Sequence, residues 1–342
     1  MRPRKLLILV VLAVVAVGLG WQFGTRTAPA GRKEIAAGTL VFPDLAARLQ
    51  SVARVEILHQ GQQLVLAQAN GKWGIADRGG YPVQQDKLRE LLTGLTELRI
   101  TEPRTGDPAQ FARLGVEDPQ PATANSNLLR LLDADGKVIA ELIVGHRRVR
   151  TQGNVPETIY IRHPGENISY LAEGRLPVDA DPQLWFDRDI ANVAAAKVTS
   201  VVVHRGEQVL EFGRDGGKFV LKAPAEHPKL DDYRVEDVSR SLDSLTLTDV
   251  RPVAQEPGEK LGTATISTSD PMVVTVTVFK AGNDIWTQYA AVGDGAGKAA
   301  ADAMQARVGG WAYQVGSWKE KAFVPQLNDL KADEPEKPAA TP

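Results

Sequence analysis

The sequence contains no cysteine. That excludes disulfides, thiolate metal sites, a cysteine nucleophile and a lipid-modified N-terminal cysteine. Histidine is scarce: the five residues, at 59, 146, 163, 204 and 227, show no His-x-x-x-His spacing, so a zinc site has no support. A surplus of positive charge is also missing. The formal net charge is -2, whereas nucleic-acid binding usually needs a basic face. No Gly-x-Ser-x-Gly elbow occurs, which removes the hydrolases built on one. Gly293-Asp-Gly-Ala-Gly-Lys298 imitates a phosphate loop, but Val292 stands where the first Gly belongs and Ala299 replaces the metal-binding hydroxyl. It reads as a turn before a helix. Asp179 and Asp181, and Asp187 and Asp189, pair carboxylates without the loop spacing of an EF-hand. Nothing points to a cofactor or a metal.

What is present is an ordinary globular composition, 43% apolar and 24% charged, enough for a proper core. A chain of 342 residues suggests about two domains.

The one long apolar run is at the start. Arg2, Arg4 and Lys5 precede Leu6–Gly20, and Trp21 and Phe23 extend it to Leu6–Phe23. At 1.5 Å per residue this segment spans about 27 Å, close to a hydrocarbon core of roughly 30 Å. A cleaved signal peptide is the competing reading, with Ala28-Pro-Ala30 as a small-residue cleavage site. Trp21 at an interfacial position, the distance to Ala30 and the proline inside the site favour an uncleaved anchor. The basic N-terminal end places residue 1 in the cytoplasm and the bulk of the chain outside it. The expected location is the inner membrane, single-pass, with a periplasmic body.

Beyond a tether at 25–38, the chain repeats itself. Arg54-Val-Glu-Ile-Leu-His-Gln-Gly-Gln-Gln-Leu-Val-Leu66 is answered by Thr199-Ser-Val-Val-Val-His-Arg-Gly-Glu-Gln-Val-Leu-Glu211. His59 and His204, Gly61 and Gly206, and Gln63 and Gln208 superpose at one offset. Gly71-Lys-Trp-Gly-Ile75 meets Gly217-Lys-Phe-Val-Leu221, and Leu88, Leu92 and Leu95 meet Val238, Leu242 and Leu245. Period-two alternation broken at Gln60-Gly61 and Asn70-Gly71 predicts a three-stranded meander. A helix from Pro82 follows, with leucines at 88, 91, 92, 95 and 98 at helical spacing. Further strands are expected at 99–102, 128–132, 138–144, 158–162 and 168–171, with a short helix over 108–114. The second half predicts strands at 201–204, 209–212 and 218–221, a helix over 231–245, and strands at 247–250, 263–267, 273–279, 285–292 and 311–315. A helical segment at 299–308 completes it. The expected fold class is therefore α+β: two tandem repeated modules, each a mostly antiparallel meander and sheet with one main amphipathic helix, behind a transmembrane helix. The boundaries are 1–24, 25–38, 39–180, 181–326 and 327–342, the last a Pro-, Lys- and Glu-rich tail expected to be disordered.

Between the halves lies Asp181-Pro-Gln-Leu-Trp-Phe-Asp-Arg-Asp-Ile190. Pro182, Leu184-Trp-Phe-Asp-Arg188 and Ile190 resemble the Pro-x-x-Trp-x-Asp-Arg seam of bacterial proteins carrying the domain of unknown function 4340. The Val55–Trp73 meander, its echo at Val201–Phe219, and Phe111-Ala-Arg-Leu-Gly-Val-Glu-Asp-Pro119 carry the resemblance over roughly residues 39 to 320. Phe186 stands where the family more often has Leu. The resemblance implies a membrane-anchored envelope protein without assigned chemistry, often encoded near components of gliding-motility-type ABC transport systems.

Two groups are candidate binding residues. Trp185, Asp187 and Arg188 could line a groove between modules, or Trp185 could fill the cleft while its neighbours pair or cap backbone. Arg147, Arg148 and Arg150, in His146-Arg-Arg-Val-Arg150, form the one basic cluster, read as a loop that is either solvated or in contact with anionic headgroups or an acidic partner. Trp286, Trp311 and Trp318 are expected in the core or on a sheet face, with a sugar-stacking platform as the competing reading. The function expected is interaction: an accessory subunit of an ABC-type envelope transport system, without catalytic residues. The alternatives are a ligand-binding protein with an apolar pocket between modules, or a glycan-active enzyme with paired carboxylates in an acidic cleft near Trp185.

Overall fold

A computed structural model describes residues 37–119, 122–148, 156–254 and 257–333. The expected anchor Leu6–Phe23, Arg150 and residues 334–342 lie outside the described residues. Among the described residues no helix is long and apolar enough to cross a membrane.

Turn chemistry starts the fold. Gln60 and Gly61 take φ of 49° and 77°, and Asn70 and Gly71 take 52° and 75°. Such positive φ pairs give two-residue turns whose twist matches that of the strands they join. They connect β1 (Arg54–His59), β2 (Gln62–Ala69) and β3 (Lys72–Ile75), to which β4 (Tyr81–Pro82) adds a short edge. Helix α1 (Gln85–Glu97) turns Leu88, Leu91 and Leu95 inward. There follow β5 (Arg99–Pro103), β6 (Asn127–Leu132), β7 (Val138–Arg148), β8 (Thr158–Arg162) and β9 (Ser169–Glu173). The sheet runs β4-β3-β2-β1-β6-β7-β8-β9-β5.

The second sheet contains β10 (Val198–Arg205), β11 (Gln208–Asp215), β12 (Lys218–Ala223), β13 (Leu247–Pro252), β14 (Glu259–Thr268), β15 (Met272–Ala281), β16 (Asp284–Gly293) and β17 (Trp311–Val315). Helix α2 (Asp232–Ser239) precedes β13, α3 (Lys298–Val308) precedes β17, and α4 (Lys319–Phe323) follows it. The order is β12-β11-β10-β14-β15-β16-β17-β13. Setting β4 aside, the two orders correspond strand for strand: in each, the strand after the first helix returns to the far edge. Every named strand pairing among the described residues is antiparallel. The fold is mostly antiparallel sheet with few helices, as an α+β reading requires at that level.

The sheets share one core. A single cluster of buried apolar residues includes Ile57, Leu91, Trp185, Val276 and Phe323. At the junction the Tyr81 ring meets Trp311, Tyr313 and Phe186 edge-on, with centroids 5.1, 5.9 and 5.8 Å away. Tyr313 passes the contact to Tyr289, and Tyr289 to Phe323. Arg78 Nε donates to Asp249 Oδ1 at 2.6 Å across the same junction. The β4 edge of the first sheet is thus covered by β13 and β17 of the second, where an open edge would invite foreign pairing.

Several boundaries differ from expectation. Pro82 belongs to β4, and α1 begins at Gln85. Residues His146–Arg148 are not loop: after a register shift, β7 continues against β8, pairing Arg147 with Ile159 and Arg148 with Thr158. Helix α2 stops at Ser239, short of Leu245. The Ser239 hydroxyl bonds back to the Glu236 carbonyl and Ser244 takes a φ of 50°, a local competition that helices tolerate poorly. Val238, Leu242 and Leu245 are buried all the same. Leu327–Leu330 form a turn with Leu330 1% exposed, and Leu230 bridges Lys331. Order therefore runs through residue 333, past the point where composition predicts disorder. Trp286 is buried and Trp311 half-buried, but Trp318 is 64% exposed.

Candidate functional site

The seam is built on a proline turn. Asp181 accepts a bond from Gln183 N at 2.9 Å, and Pro182 occupies the first position of the turn Pro182–Leu184, where its missing N–H costs nothing. The turn delivers Trp185–Asp187 alongside Pro82–Gln84. Gln84 N donates to Trp185 O at 2.8 Å, Asp187 N to Pro82 O at 3.0 Å, and Val83 bridges Phe186. Tyr81 Oη donates to the Asp187 carbonyl at 2.7 Å. The seam thereby adds a rung to the edge of the first sheet.

Trp185 and Phe186 are fully buried. The Trp185 indole donates to Asp179 O at 2.7 Å, satisfying the polar end that a buried indole must place. Lys87 Nζ lies 4.5 Å from the ring centroid and bonds Leu184 O and the Asp179 carboxylate. Asp187 is half-buried and caps Asp189 N at 3.0 Å. Arg188 is exposed, reaching Gln183 O at 3.5 Å. The seam itself therefore offers no groove: Trp185 lies in the shared core, Asp187 caps local backbone, and of these three residues only Arg188 is exposed. Burial pushes the Tyr81 phenol well above its ordinary value, with Asp187 adding to the shift. Tyr313 moves the same way, chiefly by burial and then through Tyr81.

Beside the seam, within the first half of the chain, lies a hollow of about 630 Å³. Helix α1 contributes Lys87 and Glu90 to it, β7 contributes His146 and Arg147, and the chain after β9 contributes Arg175 and Asp179. Its cations are matched. Lys87 pairs with Asp179 at 3.2 Å, Arg175 with Glu90 at 3.0 Å, and Arg147 touches Glu157 at 2.5 Å. The last is a charge contact without hydrogen-bond alignment. The structure thus brings Arg147 into the same hollow as the carboxylate beside Trp185. Arg148 faces away, as strand alternation demands, toward a separate dip with Thr101 and Glu102. Lys87 and Arg175 were not singled out from sequence. The only signal was a charged face on α1, with Lys87 and Glu90 three residues apart.

Among the described residues no group of three or more His, Asp or Glu could hold a metal ion. The histidines are scattered: His59 Nδ1 lies 3.0 Å from Ser126 O, while the His163 ring meets Phe42 edge-on. Gly295–Gly297 is a turn leading into α3, with no phosphate-loop geometry.

The profile of one protein family, described as a domain of unknown function (DUF4340), matches residues 73–264. The chain belongs to that family. The matched stretch opens on Trp73 in β3, contains the whole Trp185–Arg188 seam and ends inside β14, so the DUF4340 signature spans the junction of the two sheets. No curated protein and no solved structure matches the chain.

Proposed function

We propose that this DUF4340 chain is a membrane-tethered, extracytoplasmic interaction protein that serves as an accessory subunit of an ABC-type envelope transport system. On this reading the two halves are tandem copies of one module, set at a fixed angle by the seam. The observation that carries it is the junction: the buried Trp185 and Phe186 belong to one core shared by two sheets of matching strand order, and Phe186 reaches the second sheet through Tyr81. Opening such a junction would expose large aromatic surface at a cost of several kcal/mol. That favours a rigid body that holds partners over a clamp that closes on substrate. The tether fits this arrangement. Gly38 N donates to Ile100 O at 2.7 Å and Leu40 bridges Arg99, so a segment running from Leu6–Phe23 would join the body at the β5 edge. Crosslinking of the tagged, full-length protein in its native membrane tests the proposal. Co-purification of ABC-type membrane subunits supports it, and recovery of the protein alone, under conditions that capture known complexes, refutes it.

A second reading, binding of a polar small molecule, draws on the hollow beside Trp185. The hollow is lined by charged groups and lies within the first half, unlike an apolar pocket between modules. Glu90 and Asp179 are each engaged by a cation, which disfavours a pair of free acid and base carboxylates.

A further inference from the structure

A second hollow, of about 610 Å³, lies in the second half of the chain, where α2, the turn after it, α4 and Leu327–Leu330 meet. Its most unusual wall residue is Lys319. This lysine is 2% exposed, yet its ammonium bonds only neutral carbonyls, Ser241 O at 2.7 Å and Asp243 O at 3.3 Å. An ammonium has three N–H donors, and a buried charge normally has a charged partner. Lys319 has neither its third acceptor nor an ion-pair partner among the described residues. Burial lowers its pKa to about 8, against the opposing pull of Asp243 and Asp237, so the ammonium is still mostly charged at pH 7.

The rest of the lining sorts into used and unused groups. Arg234 is taken by Asp333, and Lys321 by Asp329. Asp237 in the last turn of α2 and Arg240 just after it form no ion pair among the described residues. Among the described residues the Asp243 carboxylate accepts only a long bond from the Ser244 hydroxyl, at 3.3 Å. Trp318 completes the wall with a ring 64% exposed, under which the Lys319 ammonium sits 4.6 Å from the centroid. Cations and carboxylates that form no close ion pair among the described residues thus share one hollow with an open aromatic face.

We propose that this hollow binds a small aromatic zwitterion of the α-amino-acid class. Its carboxylate meets Lys319 and Arg240, its ammonium meets Asp237 and Asp243, and its ring lies on Trp318. The site does not depend on the identity of any protein partner.

The test is calorimetric titration of the full-length protein in detergent with L-phenylalanine, and with benzoate and phenethylamine as its two single-charge halves. Phenylalanine should bind saturably and at least tenfold more tightly than either half. Trp318→Ala and Arg240→Ala change exposed residues and should leave the melting temperature unchanged, while each weakens binding by roughly tenfold, the scale of a lost stacking or charged contact. Absence of saturable phenylalanine binding overturns the proposal, as does equal affinity for either half or binding unaffected by both substitutions.

Discussion

Trp185 shows how one side chain can be read two ways from sequence and one way from structure. An aromatic between two modules could stack on a ligand or fill a gap, and composition does not distinguish these. Its complete burial and its bond to Asp179 O select the second. Trp185→Ala should therefore cost about 3–5 kcal/mol, the range for a large aromatic removed from a well-packed site. Arg188→Ala, three residues on and exposed, should stay within about 0.5 kcal/mol. Urea unfolding of the two variants checks this, and equal midpoints would remove Trp185 from the junction. The basic cluster is legible only in part at this scale. Three arginines close in sequence suggest a common patch, but Arg147 and Arg148 sit on a strand and so face opposite sides.

At the scale of elements, sequence signals were strongest where local chemistry dominates. The two-residue turns at Gln60-Gly61 and Asn70-Gly71 have positive φ as their residue types demand, and the leucine stripe of α1 is buried as its spacing predicts. The helical spacing of Val238, Leu242 and Leu245 predicts a longer α2, but a helix ending at Ser239 and followed by a tight turn buries all three equally well. β4 leaves no sequence signal because two residues carry no periodicity; it exists because the seam and the second sheet support it. Gly79, just before β4, shows this dependence. Its φ is 66°, and a Cβ there would sit 2.5 Å from Pro252 Cγ on the second sheet. Gly79→Ala should lose about 2–4 kcal/mol, combining left-handed strain with overpacking against a rigid ring. Gly136→Ala, with a φ of 80° but open space around it, should lose only about 1–2 kcal/mol. Thermal melts of the pair separate the two terms, and equal losses would mean that the sheets do not press together at Gly79.

The whole molecule should unfold as one unit, because its buried apolar cluster is continuous across both sheets. Far-UV circular dichroism and tryptophan fluorescence should give coincident denaturant transitions; two separated transitions would instead mean that each sheet stands alone. The junction also sets the response to alkali. Tyr81, Tyr289 and Tyr313, three of the six tyrosines, have phenols raised above their ordinary value, in each case mainly by burial. The unfolded chain releases these protons near pH 10, while the fold retains them. Their contribution is therefore fully present below pH 10 and is lost progressively as the pH rises beyond it. Spectrophotometric titration should show the phenols of Tyr81, Tyr289 and Tyr313 ionising only together with unfolding. Independent early ionisation of all six would contradict the buried junction.

Sequence alone determined most of the strands, the main turns, the repeated order of elements and the family, because these depend on side-chain periodicity, on residues that accept positive φ, and on short motifs contiguous in the chain. It also placed Trp185 at the boundary between halves. Only the tertiary structure decided that the boundary is a filled junction, that Arg147 shares a hollow with Asp179, and that Lys319 is a buried cation with no ion pair among the described residues. Each of these facts rests on groups far apart in the chain. Burial and charge pairing belong to the packed molecule, and no spacing along a single strand or helix encodes them.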